Sequence, residues 1–174
     1  TVTNPLPNSP GLLNRSFVRF YVPLGSQVLA ADGFNELILP ELKSHQKYFS
    51  DSVISEWNNA MKFDSAHKLF IGKESDKTIF SSWLEVAGGE TKTVTVTYQL
   101  PFKFKSSDNY SLLWEKQPGM LALESSQEIT YAGRKLLWEN LSNQFRDVDK
   151  NNANRISWKL PKMNNDQFIG LVLK

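Results

Sequence analysis

FSSWLEVAGGETKTVTVTYQLPF, Phe80 to Phe102, carries on its own all the parts of a complete supersecondary unit. Val94, Val96, Tyr98 and Leu100 alternate with Thr93, Thr95, Thr97 and Gln99. That is the period-two pattern of a strand with one face on a core and the other in water. Gly88 and Gly89 can take the positive φ of a tight turn, so Trp83 to Val86 is expected to fold back on a Thr91 to Leu100 strand. Pro101 has no amide proton to give a ladder and is expected to end it.

Strand signals continue on both sides. Upstream, KLFIG (Lys68 to Gly72) and Thr78 to Val86 flank a polar turn at Lys73 to Lys77, so that with the Thr91 to Leu100 strand they form a meander. SFVRFYVP (Ser16 to Pro23) is apolar on both faces apart from Arg19; a turn at Leu24-Gly25-Ser26, a strand at Gln27 to Ala31 and a turn at Asp32-Gly33 follow. Downstream, YSLLW (Tyr110 to Trp114) is ended by Gln117-Pro118-Gly119, and Ser126 to Tyr131, Lys135 to Trp138, ISWKL (Ile156 to Leu160) and FIGLVL (Phe168 to Leu173) are further strands. Between them, Val53, Ile54, Trp57 and Met61 recur at helical spacing behind Asp51 as cap, predicting a helix over Ser52 to Met61. It belongs to an insertion at 36–67, a short helix-bearing insertion of about 40–66 in which Pro40 to Ser50 has no clear pattern, that either covers an open end of the sheets or offers a binding surface. Residues 1–14, with TVTNPLPNSPG at their head, read as a linker or leading arm. About ten short strands with turn chemistry between them predict an all-β chain: one Ig-like antiparallel β-sandwich over 15–174, with a closed β-barrel as the second choice.

Composition narrows function. The chain has 174 residues, 40% hydrophobic and 22% charged, enough for a packed core. Twenty Lys and Arg against eighteen Asp and Glu leave a charge of +2, and the basic residues are scattered, so no nucleic acid partner is expected. The absence of cysteine excludes disulfides, a thiolate nucleophile and Cys-ligated metal. No apolar run is long enough to span a membrane and no signal segment opens the chain, while a start at Thr1 reads as a piece excised or processed from something longer.

Catalytic chemistry is sparse. His45 and His67 both lie in the polar insertion, would have to meet in space to hold a metal, and read as solvated residues; no G-x-S-x-G elbow or phosphate-cradling Gly-rich loop occurs. Glu85 with Glu90, and Glu124 with Glu128, read as solvated strand edges. The expectation is a non-enzyme without a cofactor. In DVDKNNAN, Asp147, Asp149 and Asn151 offer oxygen ligands at alternate positions, a weak calcium candidate without the EF-hand glycine and distal glutamate; an ordinary Asx-rich hairpin loop is the stronger reading. Five tryptophans, Trp57, Trp83, Trp114, Trp138 and Trp158, are core residues first, but an exposed set could stack on sugar rings. Trp57, Trp83 and Trp158 are the candidates for that role.

RFYVPLGS, TIFSSWLEVAGGETKTVTVTYQLP and YSLLWEKQPG together resemble the C-terminal extracytoplasmic part of a bacterial membrane-anchored family of unknown function. Ala87-Gly88-Gly89 stands where that family usually has proline-glycine, and the long segment around Ser44 to His67 departs from it. The resemblance implies an exported, envelope-associated β-domain anchored by a membrane helix outside the sequence, and it brings no catalytic residue. The functional expectation is a non-catalytic extracytoplasmic structural or interaction domain of the cell envelope, with another envelope protein or a cell-wall glycan as partner. The alternative is a carbohydrate-binding module.

Overall fold

The computed structural model describes residues 1–7, 12–35, 51–105, 108–116, 123–131, 133–141, 146–149 and 154–174. They form an all-β chain of antiparallel sheets with one helix, and among them no sheet closes into a barrel. Packing divides the chain into two compact units, Thr1–Phe102 and Lys103–Lys174, a boundary that falls inside the single domain expected over 15–174. Among the described residues no helix is long and apolar enough to cross a membrane.

The first unit contains β1 (Val2–Thr3), β2 (Leu13–Pro23), β3 (Gln27–Asp32), α1 (Ser52–Ala60), β4 (Lys62–Asp64), β5 (Leu69–Glu74), β6 (Lys77–Ala87), β7 (Thr91–Lys92) and β8 (Thr95–Gln99). Its main sheet has the order β2-β6-β5-β4, with β2 paired to β6 from Leu13↔Ala87 to Pro23↔Lys77. Ser75 (φ 49°) and Asp76 (φ 57°) make a two-residue turn between β5 and β6, and two left-handed residues in succession match the twist of a hairpin. The helix starts as expected: Asp51 caps it, its Oδ1 accepting from the Val53 amide at 2.8 Å. Val22, Leu69 and Phe80 form the buried cluster, on which Val28 and Ala31 of β3 and Val96 of β8 pack. The β3-β8 ribbon therefore lies over one face of the main sheet.

Two expectations for residues 80–102 are corrected. The turn exists, with the Glu90 amide donating to the Ala87 carbonyl at 3.0 Å and Gly89 at φ 77°, but the strands on either side of it do not pair with each other. Both edges of β6 are already occupied by β2 and β5, so the chain leaving the turn pairs elsewhere, as β7 with β1 and as β8 with β3. The meander is β4-β5-β6 instead. The face Val94, Val96, Tyr98, Leu100 is only half-buried, and Tyr98 is 41% exposed, because a two-stranded ribbon covers little area.

The arm expected at 1–14 is tied down where it is described. Asn4, 2% exposed, donates from Nδ2 to the carbonyls of Leu12 (3.1 Å) and Val86 (2.9 Å) and accepts from the Leu6 amide at 3.2 Å. A Cβ on Gly88 would lie 2.2 Å from the Pro7 carbonyl oxygen, so only glycine lets the arm pass here.

The second unit contains β9 (Asn109–Trp114), β10 (Leu123–Thr130), β11 (Leu136–Glu139), β12 (Arg146–Asp149), β13 (Arg155–Met163) and β14 (Gln167–Leu173). They form two three-stranded sheets, β10-β13-β12 and β11-β14-β9. Ile156 and Trp158 of β13 bury against Ile169, Leu171 and Leu173 of β14, with Tyr131 and Leu141 completing the core. The alternation of these strands explains the arrangement: each sheet turns one set inward and leaves the other facing out.

Candidate functional site

The outward sets of the two sheets of the second unit differ. On β10 and β13 they are Ser126, Glu128 and Thr130 opposite Lys159, Ser157 and Arg155, with Arg155 Nη1 3.3 Å from Glu128 Oε2. On β11-β14-β9 they include a group of large apolar side chains. Phe168 of β14 faces Leu113 of β9 across the ladder, and Trp138 of β11 faces Val172. Leu113 is 57% exposed, and Phe168 and Trp138 are 53% each.

Gly170 holds the middle of this face. A Cβ there would stand 3.3 Å from Trp138 Cζ3 and 3.4 Å from Phe168 Cε1, so the two rings close over the glycine from either side. The neighbouring Asn140 fixes the edge, donating from Nδ2 to the Phe168 carbonyl and accepting at Oδ1 from the Gly170 amide, each at 2.9 Å. Asn109 and Ser111, both exposed, continue the face with neutral polar groups opposite Val172 and Gly170. A flat apolar patch with neutral donors at its margin suits a partner surface or a sugar ring rather than proton transfer.

The residues expected to stack on sugars are spread over both units. Trp158, 2% exposed, is a core residue, which corrects its place among them. Trp83 is half-buried and packs against Phe17, ring centroids 5.0 Å apart, in the first unit, while Trp57 lies on α1 with its side chain outside the described set. Trp114 is half-buried. Trp138, Phe168 and Leu113 were missed as a set. Phe17 also approaches Phe70, which stacks on Phe63 at 5.0 Å, and Arg19 lies 5.5 Å above the Phe17 ring, so the first unit carries an aromatic row across β4, β5, β2 and β6.

The calcium candidate is likewise redistributed. Asp147 and Asp149 lie on β12, paired to β13, where a loop was expected to begin; Asn151 falls outside the described residues, as does His45. Among the described residues no three His, Asp or Glu side chains come together as metal ligands would. His67 Nδ1 lies 2.7 Å from Asp64 Oδ2. That hydrogen bond raises His67 above its ordinary 6.5, outweighing desolvation, and a bond to the Leu29 backbone acts in the same direction; it lowers Asp64 below 3.8. Glu85 is paired with Arg15 at 2.5 Å, and Glu90 accepts from the Ala87 amide at 3.4 Å. Comparison with known proteins finds no family model, no curated protein and no solved structure that matches the chain.

Proposed function

We propose that this chain is a non-catalytic interaction domain of a bacterial cell-envelope protein, extracytoplasmic and Ig-like in its sandwich architecture, tethered to the membrane by a segment outside the sequence. The observation that carries the reading is the exposed patch Leu113, Trp138 and Phe168 around Gly170. Single exposed apolar residues are ordinary, but a contiguous set on the outer face of a sheet is the kind of surface that binds other molecules. The resemblance of RFYVPLGS, GGETKTVTVTYQLP and EKQPG to an exported family supports the compartment and the absence of catalysis. The partner in this reading is another envelope protein.

A second reading is a carbohydrate-binding module. It is favoured by Trp138 standing exposed beside Phe168, with Asn109 and Ser111 on the same face to bond sugar hydroxyls. One co-sedimentation experiment with bacterial envelope fragments separates the two. Wild-type chain should pellet with untreated fragments and not with protease-treated ones, and the double variant Trp138→Ser, Phe168→Ser should stay in solution. Pelleting that survives protease favours the glycan reading, and a double variant that pellets like wild type removes the patch from the function altogether.

A further inference from the structure

A cavity of about 310 Å³ opens between the two sheets of the second unit, walled by Tyr110 of β9, Ile129 of β10 and Leu173 of β14, together with Phe104 and Tyr131. Its inner wall is the core itself, since Tyr131 and Leu173 are only 7% and 8% exposed. The volume stands at the lower end of the range for small-molecule sites, roughly 300–1,000 Å³. The Phe104 and Tyr110 rings pack on each other, centroids 5.9 Å apart, and both line it.

One side chain of the lining is charged. Arg134 sits at the end of a tight turn, its amide donating to the Tyr131 carbonyl at 3.0 Å after Gly133 at φ 78°, and its Nη2 donates to the carbonyl of Phe104. A guanidinium has five donors, and this carbonyl takes one of them. Among the described residues Arg134 has no carboxylate partner, and none lines the cavity. The chain around the mouth is basic as well. Lys103 and Lys105 flank Phe104, and Lys135 follows Arg134 and exchanges both main-chain hydrogen bonds with Lys174, at 2.6 and 2.9 Å. Of the acids next to the lining in sequence, Asp108 accepts from the Lys105 amide at 2.6 Å, and Glu128, beside Ile129, is paired with Arg155 at 3.3 Å.

We propose that this cavity binds a small amphipathic anion, an unbranched aliphatic carboxylate, with its chain against the wall made by the Phe104 and Tyr110 ring pair and its carboxylate on Arg134. Apolar walls repay burial of a hydrocarbon tail, while a single unpaired guanidinium beside them selects a negative head over a neutral or positive one. The cavity lies apart from the Leu113, Trp138, Phe168 patch, so failure here leaves the interaction reading standing.

The test is an amide chemical-shift titration of the full chain with sodium octanoate, octanamide and sodium acetate. Octanoate should give saturable shifts at Thr130, Arg134 and Leu173, octanamide should bind about tenfold more weakly for want of a charge-assisted bond, and acetate should not saturate. Arg134→Gln should bring octanoate down to the octanamide level. The proposal is overturned by the wild-type chain alone if octanoate does not saturate those amides or if octanamide binds equally well. It is also overturned if a folded Arg134→Gln retains full octanoate affinity.

Discussion

Two sheets of one unit bury the same kind of inner face and present opposite outer ones. Behind Trp158 and Ile156, the β10-β13-β12 sheet shows water Glu128, Arg155, Ser157 and Lys159; behind Ile169 and Leu171, the β11-β14-β9 sheet shows Leu113, Trp138 and Phe168. Folding needs only the inner sets, because hydrophobic burial is what offsets chain entropy. The charged outer face is what an unselected surface looks like. An apolar outer face adds nothing to that core and raises the risk of association, and this contrast is what the proposed interaction reading rests on.

The contrast can be broken most sharply at tryptophan. Trp158→Ala should lower unfolding free energy by about 3–5 kcal/mol, as expected for a large core residue, whereas Trp138→Ala should cost less than about 1 kcal/mol. Urea melts of both variants decide it, and equal losses would mean that the outer ring is structural after all. Next in size is Asn140→Ala, which leaves the Phe168 carbonyl and the Gly170 amide without their partner and should cost about 1–3 kcal/mol. On the opposite face Glu128→Ala removes an exposed ion pair and should change stability by about 0–1 kcal/mol in the same melts. A larger loss at Glu128 than at Asn140 would reverse the comparison.

The smallest effect is a pH dependence in the other unit, which also serves as a control. His67, raised by Asp64, contributes stability that is complete below its unfolded value of 6.5 and fades as pH climbs through the higher folded value. Asp64, lowered by the same bond, contributes above 3.8 and loses that contribution as pH falls through its lower folded value. The pair is therefore fully effective between about pH 4 and 6.5. Replacing His67 with Gln should reduce the drop in melting temperature between pH 6 and pH 8.5 while leaving the second unit's response unchanged. An unaltered drop would show that another group carries it.

Strand positions were largely legible, and facing was not. The turn at Leu24-Gly25-Ser26, the Asp51 cap and the strands around Phe80, Tyr110, Ile156 and Phe168 follow from local chemistry alone. Which strand pairs with which depends on edges already filled, and nothing local tells the chain after Gly89 that β6 is flanked by β2 and β5. The aromatic patch was hidden for a different reason. FIGLVL is apolar in both phases, so Phe168 cannot be told from Ile169 by period, and the register shift between Leu136 and Trp138 takes that tryptophan out of simple alternation. Trp158 did carry a signal, since it is in phase with Ile156 and out of phase with Ser157 and Lys159.

The left-handed pair Ser75-Asp76 also sets an order of events. A hairpin closed by two residues forms in about 1–10 μs, so β5 and β6 can zip before anything distant arrives. The other side of β6 must wait for β2, whose nearest pair, Pro23↔Lys77, closes a loop containing all of residues 24–76, helix included. During that wait a long strand bearing Phe80, Leu84 and Val86 presents an open edge, the template on which a second chain can add. Yield on refolding should therefore fall with protein concentration, and the competition is decided at the slow arrival of β2 rather than at the fast hairpin.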